Sequence, residues 1–169
     1  QTGVFHTGDL EVDYDKRRVY VNGEDGNVKC CLQKKSEEEL RKAGAVNEAG
    51  CVDIDTGALI FSTAMMDSLY SLIGTEEGYD RYVNGTVRLS LYADFLYPLA
   101  EDSTLEQFYL EKPEGEFCEE LTEAREQVWK VLRPYRMKLL RLAPAKFIHF
   151  GTTKEILALM CGGVEAYAG

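Results

Sequence analysis

Between Asp9 and Asn22 the apolar residues Leu10, Val12 and Tyr14, then Val19 and Val21, are set among charged ones. Side chains along a strand point to opposite faces in turn, so this period of two predicts a hairpin with one buried face, turning near Asp15-Lys16. A short strand over Gly3 to His6 precedes it. Asn22-Gly23 and Asp25-Gly26 carry turn chemistry, and Val28 to Lys34 follows as the next strand candidate. Ser36 and Glu39 have capping-box spacing, in which each side chain meets the other's backbone N–H. They predict a short helix that ends before Gly44.

Cys51 to Phe61 alternates in its first half and is apolar throughout in its second, Ala58-Leu59-Ile60-Phe61, as in a strand covered on both faces. Met65, Leu69 and Leu72 recur at helical spacing, with Thr63 as N-cap and Gly74 beyond the end. Val87, Leu89 and Leu91 alternate again and predict a further strand. Ser103 with Glu106 makes a second capping box. Phe117, Leu121, Ala124, Val128 and Val131 trace one face of a long helix that Pro134 terminates. Met137 to Leu142 and Phe147 to Phe150 are strand candidates, and Thr152 with Glu155 opens a last helix. Strands and helices interleave, which predicts an α/β fold.

A chain of 169 residues, 45% hydrophobic, is enough for one domain with its own core. A net charge of -10 argues against a sequence-independent grip on nucleic acid, which rests on clustered Lys and Arg neutralising phosphates. The charge is uneven: Glu101 to Glu126 is strongly acidic, while Lys130 to Lys146 is basic and contains no Asp or Glu. Two solvated faces account for this pattern, with an anion site in the basic stretch as the alternative. Five cysteines without a Cys-x-x-Cys pair signal neither a disulfide framework nor a zinc site. No run approaches the roughly 18 apolar residues of a membrane helix, and no signal-peptide pattern opens the chain. The expectation is a cytoplasmic protein without membrane or nucleic-acid partners. Because Gln1 is not Met and the residues after Gly162 form no clear closing element, a piece of a larger protein is expected.

The phosphate-cradling patterns Gly-x-Gly-x-x-Gly and Gly-x-x-x-x-Gly-Lys-Ser/Thr are both missing, as are a nucleophile elbow and a metal-binding histidine pair. His6 and His149 read as hydrogen-bonded structural residues. Ligands of open α/β sheets bind beyond the carboxyl ends of strands, and three places of that kind carry polar residues. Gln33-Lys34-Lys35 offers an amide and two ammoniums that suit sugar hydroxyls and a phosphate; it also reads as a polar helix entry. Asp53 and Asp55 share a strand face and lead to Thr56-Gly57, where glycine lets a ligand approach the backbone. A solvent-facing edge or a bulge at Gly57 reads equally well. Asp94, within the mostly apolar Leu91 to Tyr97, needs a partner because burying an unpaired charge is costly. Arg88 is one candidate partner, and a hard cation such as Mg²⁺ is the other.

Five strings, taken in order, carry a resemblance: Leu32-Gln33-Lys34-Lys35-Ser36, Gly44-Ala45-Val46, Val52-Asp53-Ile54-Asp55-Thr56-Gly57, Leu91-Tyr92-Ala93-Asp94-Phe95-Leu96, and Phe147-Ile148-His149-Phe150-Gly151-Thr152-Thr153-Lys154-Glu155. Together they resemble the bifunctional fucokinase and fucose-1-phosphate guanylyltransferase (GDP-fucose pyrophosphorylase) family. The resemblance spans roughly Val28 to Leu159. Lys35 and Ala93 depart from it, standing where the family has Pro and Gly.

The resemblance implies the second half of a sugar-nucleotidyltransferase-like layered α/β domain, a mixed sheet with flanking helices. Residues 1–169 would then be a single fragment of the nucleotidyltransferase domain, without the N-terminal glycine-rich half that binds nucleotide and without any kinase domain. Such a fragment is expected to be inactive alone, with the missing domains of its parent chain as partners. Gln33 and Lys34 would meet the sugar phosphate, Asp55, Thr56 and Gly57 would contact the sugar, and Asp94 would be catalytic as a ligand of the cofactor Mg²⁺. The intact enzyme would join GTP and fucose 1-phosphate into GDP-fucose and pyrophosphate, in a parent protein with or without a fucokinase. The alternative is a non-catalytic structural or interaction module between the catalytic domains of a sugar kinase.

Overall fold

The computed structural model describes residues 4–9, 18–33, 35–83, 85, 87–142 and 152–162. Its strands β1 (Val4–Asp9), β2 (Arg18–Asn22), β3 (Val28–Gln33), β4 (Cys51–Ala58) and β5 (Leu140–Leu142) form one sheet in the order β3-β2-β4-β1-β5. Neighbours are antiparallel except β1 and β5, which run parallel, so the sheet is mixed. Strand β4 lies between β1 and β2, while the first strand of the predicted hairpin falls outside the described residues. Alternation says which residues face a core, not which strand pairs with which. Residues 10–17, with the predicted turn, lie outside the described residues.

Both faces of the sheet are covered. On one, Val19 and Val52 pack with Leu40 of α1 (Glu37–Lys42). On the other, Tyr20 and Val28 join Leu96, Leu99, Phe108, Val128 and Leu132 of a helical layer. The strand buried on both sides is therefore β2, where Val19, Tyr20 and Val21 are all buried in sequence. The apolar run at 58–61 is different: β4 ends at Ala58, and Ile60 is exposed. Ser62, one residue before the expected cap, accepts from the Met65 N–H at 3.3 Å and starts α2 (Thr63–Ser71).

Local signals are realised closely at α1. Ser36 N–H donates to Glu39 Oε2 at 2.8 Å and Glu39 N–H to Ser36 Oγ at 3.3 Å, which completes the capping box. Gly44, at φ 72°, takes the left-handed turn that ends the helix. The helical layer adds α3 (Glu76–Tyr82), a π-helical turn at Leu91–Leu96, a 3₁₀ turn at Tyr97–Leu99, α4 (Leu105–Leu110) and α5 (Glu119–Leu132). Val87 and Leu89 form no strand. They lie against Leu121 and Ala124 of α5, and this one-sided burial produces the alternation. Thr104 rather than Ser103 caps α4, accepting from Gln107 N–H at 3.3 Å, while Ser103 Oγ donates to Ala100 O at 2.6 Å. Helix α5 stops before Pro134 as expected, and α6 (Thr153–Gly162) follows Thr152, which accepts from Glu155 N–H at 3.3 Å. The strand candidate at 147–150 lies outside the described residues.

The Arg133 guanidinium fastens the layer to the sheet. It donates to the carbonyls of Pro98, Ala100 and Glu101 and to Ser103 Oγ at 2.6 to 3.1 Å. The segment so held bonds along β3, with Glu101 N–H to Val28 O at 3.0 Å and Asp102 N–H to Lys29 O at 2.9 Å. Met137 O accepts from Val28 N–H at 2.8 Å, so the first half of this edge strand is covered. Among the described residues no helix is long and apolar enough to cross a membrane. None of the five cysteines is in a disulfide.

Candidate functional site

The register of the sheet brings two of the three predicted places to one edge. Arg18, the first residue of β2, pairs with Gln33, the last of β3. On its other side β2 pairs with β4, with Val19 opposite Ile54 and Tyr20 opposite Asp53. The carboxyl ends of β3 and β4 thus flank the start of β2, two strand spacings or about 10 Å apart. Gln33 and the run Asp55, Thr56 and Gly57 lie at these ends; Lys34 lies outside the described residues. Asp55 is half-buried and accepts from Tyr20 Oη at 3.0 Å.

Beside the second half of β3 opens a cleft of about 440 Å³. Cys30, Cys31, Leu32 and Lys35 line its sheet side, and Tyr97, Gln107 and Glu111 face them. Lys35 holds Glu39 at 3.3 Å, an exposed pair that leaves the ammonium at the mouth. Tyr97 stacks on Phe108 with ring centres 5.4 Å apart and donates to Gln107 Oε1 at 3.4 Å. Burial, reinforced by the nearby Glu111 carboxylate, pushes the Tyr97 phenol up to about 12. Burial and then Asp102 also raise the Cys30 thiol, which is therefore a protonated lining group at neutral pH and not a nucleophile. The cleft offers an aromatic ring, an amide, hydroxyls, one ammonium and the carboxylates of Asp102 and Glu111, a set suited to holding a polar ligand and not to attacking it.

Asp94 belongs to neither place. It sits in the π-helical turn with no exposure, and its partner is Arg125 of α5, not Arg88. Arg125 Nε donates to Oδ1 at 2.8 Å, and Ser90 N–H donates to Oδ2 at 2.7 Å. Arg125 Nη1 also closes the end of α4 by donating to the carbonyls of Phe108, Tyr109 and Glu111. A second ion pair lies on the sheet: Arg141 of β5 crosses β1 to grip Asp53 of β4, with Nε to Oδ1 at 2.7 Å and Nη2 to Oδ2. The Asp53 hydrogen bond holds Arg141 above its ordinary pKa. Neither arginine stood out in the sequence. For Arg141 the signal was the basic stretch Lys130 to Lys146, which also contains Arg133, a fastener of segment 98–103.

A family model for the fucose pyrophosphorylase domain matches residues 3–168. The chain belongs to the fucose pyrophosphorylase domain family. No curated protein and no solved structure matches the chain. In this fucose pyrophosphorylase domain the residues around Asp94 do not fit Mg²⁺. The ion keeps several waters and needs open oxygen ligands, whereas this carboxylate is sealed from solvent with both oxygens engaged. Among the described residues no group of three or more His, Cys, Asp or Glu is arranged to hold a metal. The Asp94 charge is compensated inside the fold by Arg125 and by the Ser90 N–H.

Proposed function

We propose that this chain handles the sugar phosphate in a fucose-1-phosphate guanylyltransferase, with the layered architecture of the sugar nucleotidyltransferases. In that reaction a phosphate oxygen of fucose 1-phosphate attacks the α-phosphorus of GTP. The bond from the α-phosphorus to the bridging oxygen breaks, pyrophosphate leaves, and GDP-fucose is formed. The observation that carries the reading is the family match across residues 3–168.

The geometry supports it in a specific way. Gln33 and the Asp55-Thr56-Gly57 run converge on one sheet edge, and a cleft large enough for a monosaccharide phosphate opens beside Leu32 and Lys35. Lys34, between Gln33 and Lys35, is the point charge for the phosphate, because an ammonium neutralises an anion without a fixed fork. Positioning and charge neutralisation supply the rate in such a transfer. No step is assigned to Asp94.

The test uses the protein that contains this chain, supplied with GTP, Mg²⁺ and fucose 1-phosphate. GDP-fucose and pyrophosphate are the expected products, and their absence with active nucleotide binding would end the proposal. Lys34→Met should raise the KM for fucose 1-phosphate and leave that for GTP nearly unchanged, with a loss of about 1.5 to 3 kcal/mol, typical of a hydrogen bond to a charged group. Equal weakening toward both substrates would place Lys34 elsewhere.

A further inference from the structure

The wall of the cleft that faces β3 starts in the 3₁₀ turn at Tyr97, runs through the irregular stretch 100–103 and enters α4 at Gln107. An irregular stretch has no ladder of its own, so its backbone groups find partners elsewhere. On the amide side the partners are carbonyls of β3: Glu101 N–H meets Val28 O and Asp102 N–H meets Lys29 O. On the carbonyl side, Pro98, Ala100 and Glu101 all accept from one guanidinium, that of Arg133. From this arrangement we infer that Arg133, which does not itself line the cleft, is a positioning residue for it. The arginine holds the wall from Tyr97 to Gln107 at a fixed separation from Lys35 and the second half of β3.

Three observations lead there. Arg133 Nη1 reaches Pro98 O at 3.0 Å, Ala100 O at 2.6 Å and Ser103 Oγ at 3.1 Å, while Nη2 reaches Glu101 O at 2.9 Å. One rigid planar group thus fixes the whole stretch. The arginine is anchored in turn: it caps the C-terminus of α5, and its guanidinium lies 5.0 Å from the centre of the Trp129 ring. The wall also moves as one piece, because Tyr97 stacks on Phe108 of α4 and donates to Gln107 Oε1.

The two backbone bonds to β3 fall at Val28 and Lys29, ahead of the Cys30, Cys31 and Leu32 that line the cleft. They tie the wall to the sheet at one end, and Arg133 limits its swing about that tie. Groups on opposite walls, Lys35 on one and Gln107 on the other, meet the same small ligand only at one separation. A wall already held there spares the ligand the cost of ordering it.

The consequence for fucose 1-phosphate rests on the guanylyltransferase reading; the positioning role does not. The experiment compares the natural protein with Arg133→Met and Arg133→Lys, each well below its Tm. Cys30 and Cys31 line the cleft, and Cys118 and Cys161 are exposed outside it, so labelling by an aromatic disulfide reagent, read by mass spectrometry, reports the aperture without substrate. In Arg133→Met, labelling of Cys30 and Cys31 should accelerate on the order of tenfold, the scale of one lost hydrogen bond to a charged group, with Cys118 and Cys161 unchanged. The KM for fucose 1-phosphate should rise by a similar factor, with kcat changing less and the KM for GTP unchanged. Arg133→Lys keeps the charge and loses the fork, so it should fall between; if Arg133→Met proves poorly folded, it carries the test with the same directions. Unchanged labelling of Cys30 and Cys31, or equal acceleration at all four thiols, would overturn the inference. So would an unaltered fucose 1-phosphate KM in the Arg133 variants when Lys34→Met raises it. Accelerated labelling at Cys30 and Cys31 in a protein that makes no GDP-fucose would retire the guanylyltransferase reading and leave the positioning role standing.

Discussion

Two aspartate–arginine pairs, Asp94 with Arg125 and Asp53 with Arg141, share one chemistry and occupy opposite settings. The first is sealed, its side chains 0% and 1% exposed, and its guanidinium also ties down the end of α4. The second stands at the lip of a recess with its arginine half in solvent. A buried pair stripped of one partner leaves an uncompensated charge in a poor dielectric, whereas a half-exposed one is rescued by water and salt. The same two residue types are thus sealed inside the fold in one place and reach solvent in the other.

The largest expected effect tests the sealed pair. Asp94→Ala should cost about 3 to 5 kcal/mol, because it strands the Arg125 charge. For a domain of this size that corresponds to a fall of roughly 6 to 20 °C in Tm. The double variant Asp94→Leu with Arg125→Met should recover part of the loss, since a well-packed apolar replacement often matches a buried ion pair. If Mg²⁺ raises the Tm of the natural protein and not that of Asp94→Asn, the carboxylate is a metal ligand and the contrast collapses.

Next in size is Arg133→Met. The arginine's hydrogen bonds to three carbonyls and a hydroxyl join segment 98–103 to α5, and their loss should cost about 1.5 to 3 kcal/mol in urea unfolding. Amide exchange should rise at Glu101 and Asp102 as well, because their N–H groups donate to the Val28 and Lys29 carbonyls of β3. A variant with unchanged protection at these two amides would show that the segment is held by other contacts.

At the half-exposed pair, Arg141→Gln should cost about 1 to 2 kcal/mol, less than Asp94→Ala because the guanidinium is half in solvent, yet not nothing because it leaves the mostly buried Asp53 carboxylate without this partner. A loss as large as that of Asp94→Ala would place this pair with the structural one. The smallest effect concerns Tyr97, between the two regions. The folded state keeps its phenol protonated to about 12 against an ordinary value of 10.0. The raised pKa means that the folded protein holds this proton more tightly than the unfolded chain. Its contribution to stability is then complete below pH 10 and lost as the pH rises through 12. The near-ultraviolet phenolate band of the natural protein, compared with Tyr97→Phe, should reveal one late-titrating tyrosine.

The capping box at Ser36 and Glu39 could be read directly, because its bonds span three residues. The face Leu121, Ala124 and Val128 was equally plain, since the helical period itself encodes burial, and Pro134 marks the stop. Helix α3 was missed because Gly78 stands within it, and glycine usually breaks a helix. Here a side chain at that position would collide with the Leu72 carbonyl. Val87 and Leu89 misled for another reason: a segment lying extended on a helix is buried on one side, like a strand. Of the site, the edge residues Gln33 and Asp55 to Gly57 were visible as polar positions at strand ends. The cleft was not, because its walls come from β3 and from the distant segment between Tyr97 and Glu111.

By itself the sequence determined the α/β class, most of the element boundaries and the family, since these follow from local periodicity, caps and short ordered strings. Only the tertiary structure decided that β4 separates β1 from β2, that Asp94 meets Arg125, and that Asp53 meets Arg141 across 88 residues. Pairing of distant charges depends on which elements pack together. A charged residue's own neighbours in sequence record only that it needs a partner, not where in the chain that partner lies.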